Sequence, residues 1–210
     1  QLLTNGTIGA SGNVYASGFY DDGVKITAPF TGSHFYFTQE ECVPGDIIEA
    51  TGEAVHESIV QTYPYVVTST GEKSKAVVGV CYEMHDSYEH KLAKLSQFWE
   101  GREERTLLPE YENMINDLKA SGYKACMSAS LGEGLINVCE LGGDIIVGDF
   151  ICSSSVKGKG QKQDTDFLMN YTVAKATETV NWGLETAGTN GCFEQDGVKC
   201  KMIACTYHCG

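Results

Sequence analysis

A chain of 210 residues, 42% hydrophobic and 20% charged, carries enough apolar material to bury a core and too little charge for a disordered segment. Its formal charge of −13, from 28 acids against 15 bases, would repel a phosphate backbone, so nucleic acid is excluded as an expected partner. No apolar run approaches the roughly 18 residues that cross a bilayer as a helix, and no membrane span is expected.

Residues 1–30 are rich in Gly, Ser and Asn, with short alternating pieces such as Asn13 to Tyr20. None is long enough to build a core, so this segment is expected to be extended and to pair with another chain or lie across a neighbouring sheet. The sequence opens at Gln1 with no Met, no basic start and no long apolar stretch. That opening suggests a chain cut from something longer.

From 34 to 83 the pattern is β. His34 to Thr38, Ile47-Ile48 after a Pro44-Gly45-Asp46 turn, Tyr63 to Thr68 and Lys75 to Tyr82 are β-branched and aromatic runs bounded by turn residues. Residues 86–121 change period. Leu92, Leu95, Phe98 and Trp99 recur at helical spacing, and Pro109 to Ala120 places Met114, Ile115 and Leu118 on one face, with Gly122 to end it. The expectation is a helical hairpin inserted over about 86–121. Strands then return at Ala125 to Ala129, Leu135 to Leu141, Asp144 to Ile151, Tyr171 to Val180 and Val198 to His208. The fold class expected is mainly β: an antiparallel β-rich domain over 31–210, interrupted by the hairpin. The string Gly-Asp-Ile-Ile occurs at 45–48 and again at 143–146, each read as a turn feeding a buried strand.

Nine cysteines is an odd number, so not all can pair within one chain. Cys81, Cys126, Cys139 and Cys152 sit in apolar runs and are read as buried thiols. Cys192, Cys200, Cys205 and Cys209, with His208, have spacings that match no common zinc finger. A disulfide between Cys192 and Cys200 is the preferred reading there.

Phosphate-loop, zincin, nucleophile-elbow and EF-hand signatures are missing, and the five histidines show no ligand spacing. No cofactor and no metal are expected. The densest stretch is 143–180. An apolar run ends in Ser153-Ser154-Ser155, a loop with Gly158, Gly160 and Lys162 follows, and Asn170 to Ala176 returns as a polar-tipped strand. A serine such as Ser154 beside Lys157 or Lys175 has the makings of a Ser–Lys nucleophile pair, because a desolvated lysine can act as general base. The alternative is a Ser-rich turn with solvated lysines.

The order Gly148-Asp149-Phe150-Ile151-Cys152-Ser153-Ser154, then a Gly-containing loop with Lys162-Gln163, then Asn170-Tyr171-Thr172-Val173-Ala174-Lys175-Ala176, resembles the C-terminal intramolecular-chaperone, auto-processing domains of the pre-neck-appendage type. These end phage neck appendages, tail fibres and some collagen-like giant-virus surface proteins. Ile203 to Gly210 and Ser130 to Gly134 are also similar, and 34–82 is so more weakly. The resemblance implies a homotrimer on a virion-surface fibre or appendage, or released from it. Residues 1–30 would then be the end of the fibre shaft or the junction to it, and the partners would be two further copies and the upstream shaft. Any catalysis would be a single self-cleavage using carboxylates near the junction, for which Asp21, Asp22 and Glu133 are the candidates. A reading from a different class is a retained fibre tip that binds a host-surface glycan or protein, for which the 11 tyrosines and 2 tryptophans would serve.

Overall fold

The structure is a computed structural model that describes residues 19–21, 24–26, 32–56, 62–86 and 109–209. Two short strands, β1 (Phe19–Asp21) and β2 (Val24–Ile26), form an antiparallel ribbon. Five more, β3 (Ser33–Thr38), β4 (Ile47–His56), β5 (Thr62–Thr68), β6 (Val77–His85) and β7 (Lys124–Ala129), close into a barrel in the order β3-β5-β4-β6-β7. The remainder, β8 (Leu131–Cys139), β9 (Phe150–Ser153), β10 (Gly160–Lys162), β11 (Thr172–Ala176), β12 (Cys192–Gln195) and β13 (Val198–His208), forms a six-stranded sheet ordered β11-β9-β10-β8-β13-β12. An extra pairing of β11 with β13 brings that sheet round on itself. Pairing is antiparallel as expected except between β3 and β5 and between β10 and β8, which run parallel.

Every barrel strand contributes to one buried cluster: Tyr36, Ile48, Val66, Cys81 and Cys126 gather with Cys42, and Val78 and Met84 pack against them. On the outside, Phe35, Phe37, Tyr63 and Tyr65 gather edge-on under the helix α1 (Pro109–Ala120), which contributes Met114 and the buried Leu118. Pro109 opens α1, where its missing N–H costs nothing. Gly122 closes it at φ +75, donating to the Lys119 carbonyl while Tyr123 donates back to Leu118. This is the paired return that a left-handed glycine permits.

The barrel and the sheet are not separate bodies. Ile47, Val80 and Ala129 from the barrel pack with Ile136, Val138, Ile151, Val173 and Ile203 from the sheet in one apolar cluster. β13 displays the cause most plainly. Its odd residues from 203 to 209 are buried and its even residues are not, the period-2 alternation of a strand with one face on a core.

Several expectations need correction. α1 is the only α-helix among the described residues. The Leu92, Leu95, Phe98 and Trp99 stripe lies outside them. The apolar run Asp144 to Ile151 is a strand only from Phe150. Before that, Ile145 makes an isolated bridge to Val180, and Gly148 at φ +101 turns the chain. The strand expected over Tyr171 to Val180 ends at Ala176. All nine cysteines are free and buried, so the Cys192–Cys200 disulfide is not formed. The reason is register: Cys192 faces Lys201 and Cys200 faces Phe193, so the two thiols point to opposite faces of the hairpin.

Candidate functional site

One turn is built twice, four residues each time. In Val43-Pro44-Gly45-Asp46 the Asp46 N–H donates to the Val43 carbonyl at 2.9 Å, Gly45 sits at φ +93, and the Asp46 carboxylate accepts from the Val43 N–H at 3.3 Å. In Ile146-Val147-Gly148-Asp149 the same contacts measure 3.1 and 2.8 Å. Glycine third and aspartate fourth are what a type II turn with a carboxylate cap requires. The structural repeat is thus out of step with the Gly-Asp-Ile-Ile string, whose second copy at 143–146 precedes the equivalent turn.

Both aspartates meet lysines that bracket β10. Asp149 pairs with Lys162 at 2.9 Å near the surface. Asp46 pairs with Lys159 at the junction of barrel and sheet, with side-chain exposures of only 7% and 4%. Asn137 from β8 donates through Nδ2 to the same Asp46 Oδ1 at 2.9 Å and to the Pro44 carbonyl at 3.1 Å. The Lys159 ammonium lies 5.7 Å from the centre of the Phe193 ring. Two charges so deeply buried persist only when paired and hydrogen-bonded, and here each is. The fit is tight: a methyl group on Gly158 would come within 2.6 Å of Asp46 Cγ, and one on Gly45 within 2.8 Å of Asn137 Nδ2.

A second polar feature lies inside the barrel, where Cys42, Cys81 and Cys126 meet. The Cys42 thiol is held below the ordinary range by the neighbouring Cys126 and Cys81 thiols, whose influence outweighs burial. For Cys81 the lowering influence of Cys126 is outweighed by the neighbouring Cys42 and by burial, which together push its thiol up. Among the described residues no set of three or more His, Cys, Asp or Glu is arranged to hold a metal ion.

The candidates named from sequence are dispersed. Asp21 ends β1 opposite Val24, and Asp22 lies outside the described residues. Glu133 is exposed on β8 and lines a groove of about 410 Å³ with Pro44, Tyr82, Leu135 and Met202. Ser154 is buried, donating to the Lys159 carbonyl at 2.8 Å and accepting from the Val156 N–H at 3.2 Å, which fixes it as the pin of its turn. Lys175 is exposed with its ammonium over the Phe150 ring, and Lys157 pairs with Glu40 at 3.1 Å. The described contacts of Ser154 include neither lysine ammonium.

Sequence reading missed the Asp46, Lys159 and Asn137 cluster. Its members are 91 and 113 residues apart, and each alone looks like a surface residue. The one available signal was Val-Pro-Gly-Asp against Ile-Val-Gly-Asp, with two lysines near Gly160. No protein-family model matches the chain, and no curated protein matches its sequence.

Proposed function

We propose that the chain is the C-terminal trimerisation and folding domain of a viral or phage fibre or appendage protein, an intramolecular chaperone that in processed forms releases itself by one self-cleavage. The observation that carries this reading is the outer face of β8 and β13. Leu131 and Leu135 on β8 are 53% and 52% exposed, and Met202 on β13 is 37% exposed. Tyr82 and Val43 extend the apolar surface on the barrel side, at 40% and 58%. A clustered apolar face on a sheet whose other side is core is what a subunit contact needs. Aligning three chains in register is entropically costly, and a compact trimeric end lowers that cost by raising local concentration. The block 143–180 supports the assignment by its resemblance to such domains, and the number three comes from that resemblance.

Light scattering at micromolar concentration is expected to give a trimer, and Leu135→Asp is expected to dissociate it while leaving the far-UV dichroism of the barrel and sheet in place. A monomeric wild-type chain overturns the reading. For the cleavage, a longer precursor carrying Asp21→Ala, Asp22→Ala and Glu133→Ala together is expected to stay uncut. Normal cutting removes all three from the chemistry.

A retained tip that binds a host-surface glycan or protein is favoured by a different feature, the loop bearing Phe167 and Leu168, 75% and 62% exposed. Mass spectrometry of assembled particles separates the two, since a released chaperone is missing from them and a tip is present.

A further inference from the structure

We propose that Lys159 and Asn137 join through an intramolecular amide bond, with Asp46 carrying the protons. Three independent features of the cluster support it. First, Asn137, Lys159 and Asp46 are 2%, 3% and 5% exposed, so the group is dry. Second, the Asn137 carboxamide and the Lys159 ammonium donate to one and the same oxygen of Asp46. Two donors on one acceptor are held roughly 3–5 Å apart by hydrogen-bond geometry alone. Third, β10 runs parallel beside β8 with Gly160 opposite Val138, which places 159 and 137 at the next register position along adjacent strands. Gly45 packs directly against Asn137 and Gly158 against Asp46, where a methyl group would come within 2.8 and 2.6 Å.

In water an alkylammonium and a carboxamide do not react, because the amine is protonated and the amide is a poor electrophile. Lys159 Nζ already donates to Asp46 Oδ1, so a proton can pass along that contact from Nζ to the carboxylate and leave a neutral amine. The neutral Nζ then attacks Asn137 Cγ, with the Asp46 carboxyl held against Nδ2, the nitrogen that is to leave. The proton shed by Nζ passes through Asp46 to Nδ2, the Cγ–Nδ2 bond breaks, and ammonia leaves. The balance is one ammonium and one primary amide giving one secondary amide and one ammonium ion, with no oxidant, cofactor or metal. Holding the reactants in place supplies the acceleration a single turnover needs. The product ties β8 covalently to the start of β10 and closes a ring of chain between 137 and 159.

The test is the intact mass of the denatured, fully reduced full-length chain after folding. Wild type is expected to be lighter than its sequence by one ammonia, and a branched peptide linking Lys159 to Asn137 is expected in the digest, with no tryptic cut after Lys159. Lys159→Arg and Asp46→Ala are expected at full mass. Cyclisation of Gln1 also expels ammonia, so the loss is assigned from the branched peptide and not from the intact mass alone. A folded wild-type chain in which 137 and 159 are recovered only in separate, unmodified peptides overturns the proposal. So does loss of water with Lys159 joined to Asp46. The wild-type reading decides the matter even where a variant fails to fold.

Discussion

At Gly52 and Gly158 the same substitution tests two different costs. Both sit at positive φ, +95 and +75, but nothing lies within 4 Å of a methyl group on Gly52, whereas one on Gly158 meets Asp46 Cγ at 2.6 Å. Gly52→Ala is therefore expected to lose about 1–2 kcal/mol from backbone strain alone. Gly158→Ala is expected to lose about 3 kcal/mol or more, since the buried ion pair must shift as well. Urea denaturation of both variants measures the difference, and equal losses would show that the junction is loosely packed. The thiols give the second prediction at this scale. Burial pushes Cys152 up to about 11 and Cys200, Cys205 and Cys209 up to about 12. The unfolded thiol titrates near ~8.5, so the folded chain binds these protons more tightly than the unfolded one. Stability is then complete below about pH 8 and falls as pH rises from there toward the folded values, by at most about 1.4 kcal/mol per pH unit for each thiol. The urea midpoint under reducing conditions is expected to drop between pH 8 and 10, and a flat profile contradicts the burial argument.

Among the elements, β13 and α1 were readable because their signals are local. β13 alternates from Ile203 to its end, and α1 carries Pro first, a one-sided apolar face and a terminal Gly. The run from Asp144 to Ile151 misled for an equally local reason. Five apolar residues suggest a strand, but Gly148 and the Asp149 carboxylate build a turn within them, which leaves Ile146 and Val147 57% and 62% exposed. Composition cannot distinguish a buried apolar run from one bent into solvent. Leu118 gives the prediction at this scale. It is 5% exposed and clusters with Phe37 and Ala125, so Leu118→Ala is expected to cost about 2–4 kcal/mol through the cavity left between helix and barrel. Thermal melting would show it as a shift of several degrees. A negligible shift would mean that α1 merely rests on the barrel.

For the whole molecule, the sequence disclosed the β class and most strand positions but not how the halves join. That information is held in long-range pairs. Ile47 faces Ile136 and Ile203 across the shared core, Lys159 and Asn137 both reach Asp46, and the Gly158 N–H donates to the Ser69 carbonyl at 2.8 Å. None of these is marked by spacing or residue type. The shared cluster makes barrel and sheet one cooperative unit, so calorimetry is expected to show one transition whose van't Hoff and calorimetric enthalpies agree. A fragment ending at Ser130 would expose Ile47 and Val80, and is expected to show no cooperative melt. Two resolved transitions, or a stable fragment, would separate the halves.

The central place of β13 imposes an order in time. β8 has β13 as its antiparallel neighbour along its whole length, from Leu131 opposite His208 to Cys139 opposite Cys200, yet 58 residues separate the end of one strand from the start of the other. A ribosome adding about 5–20 residues per second makes β8 roughly 3–12 seconds before its neighbour exists. During that interval Ile136 and Val138 have no Ile203 to cover them. The nascent chain must therefore wait with a sticky strand on show, and any factor that binds extended apolar segments meets this protein at that stage of synthesis or not at all.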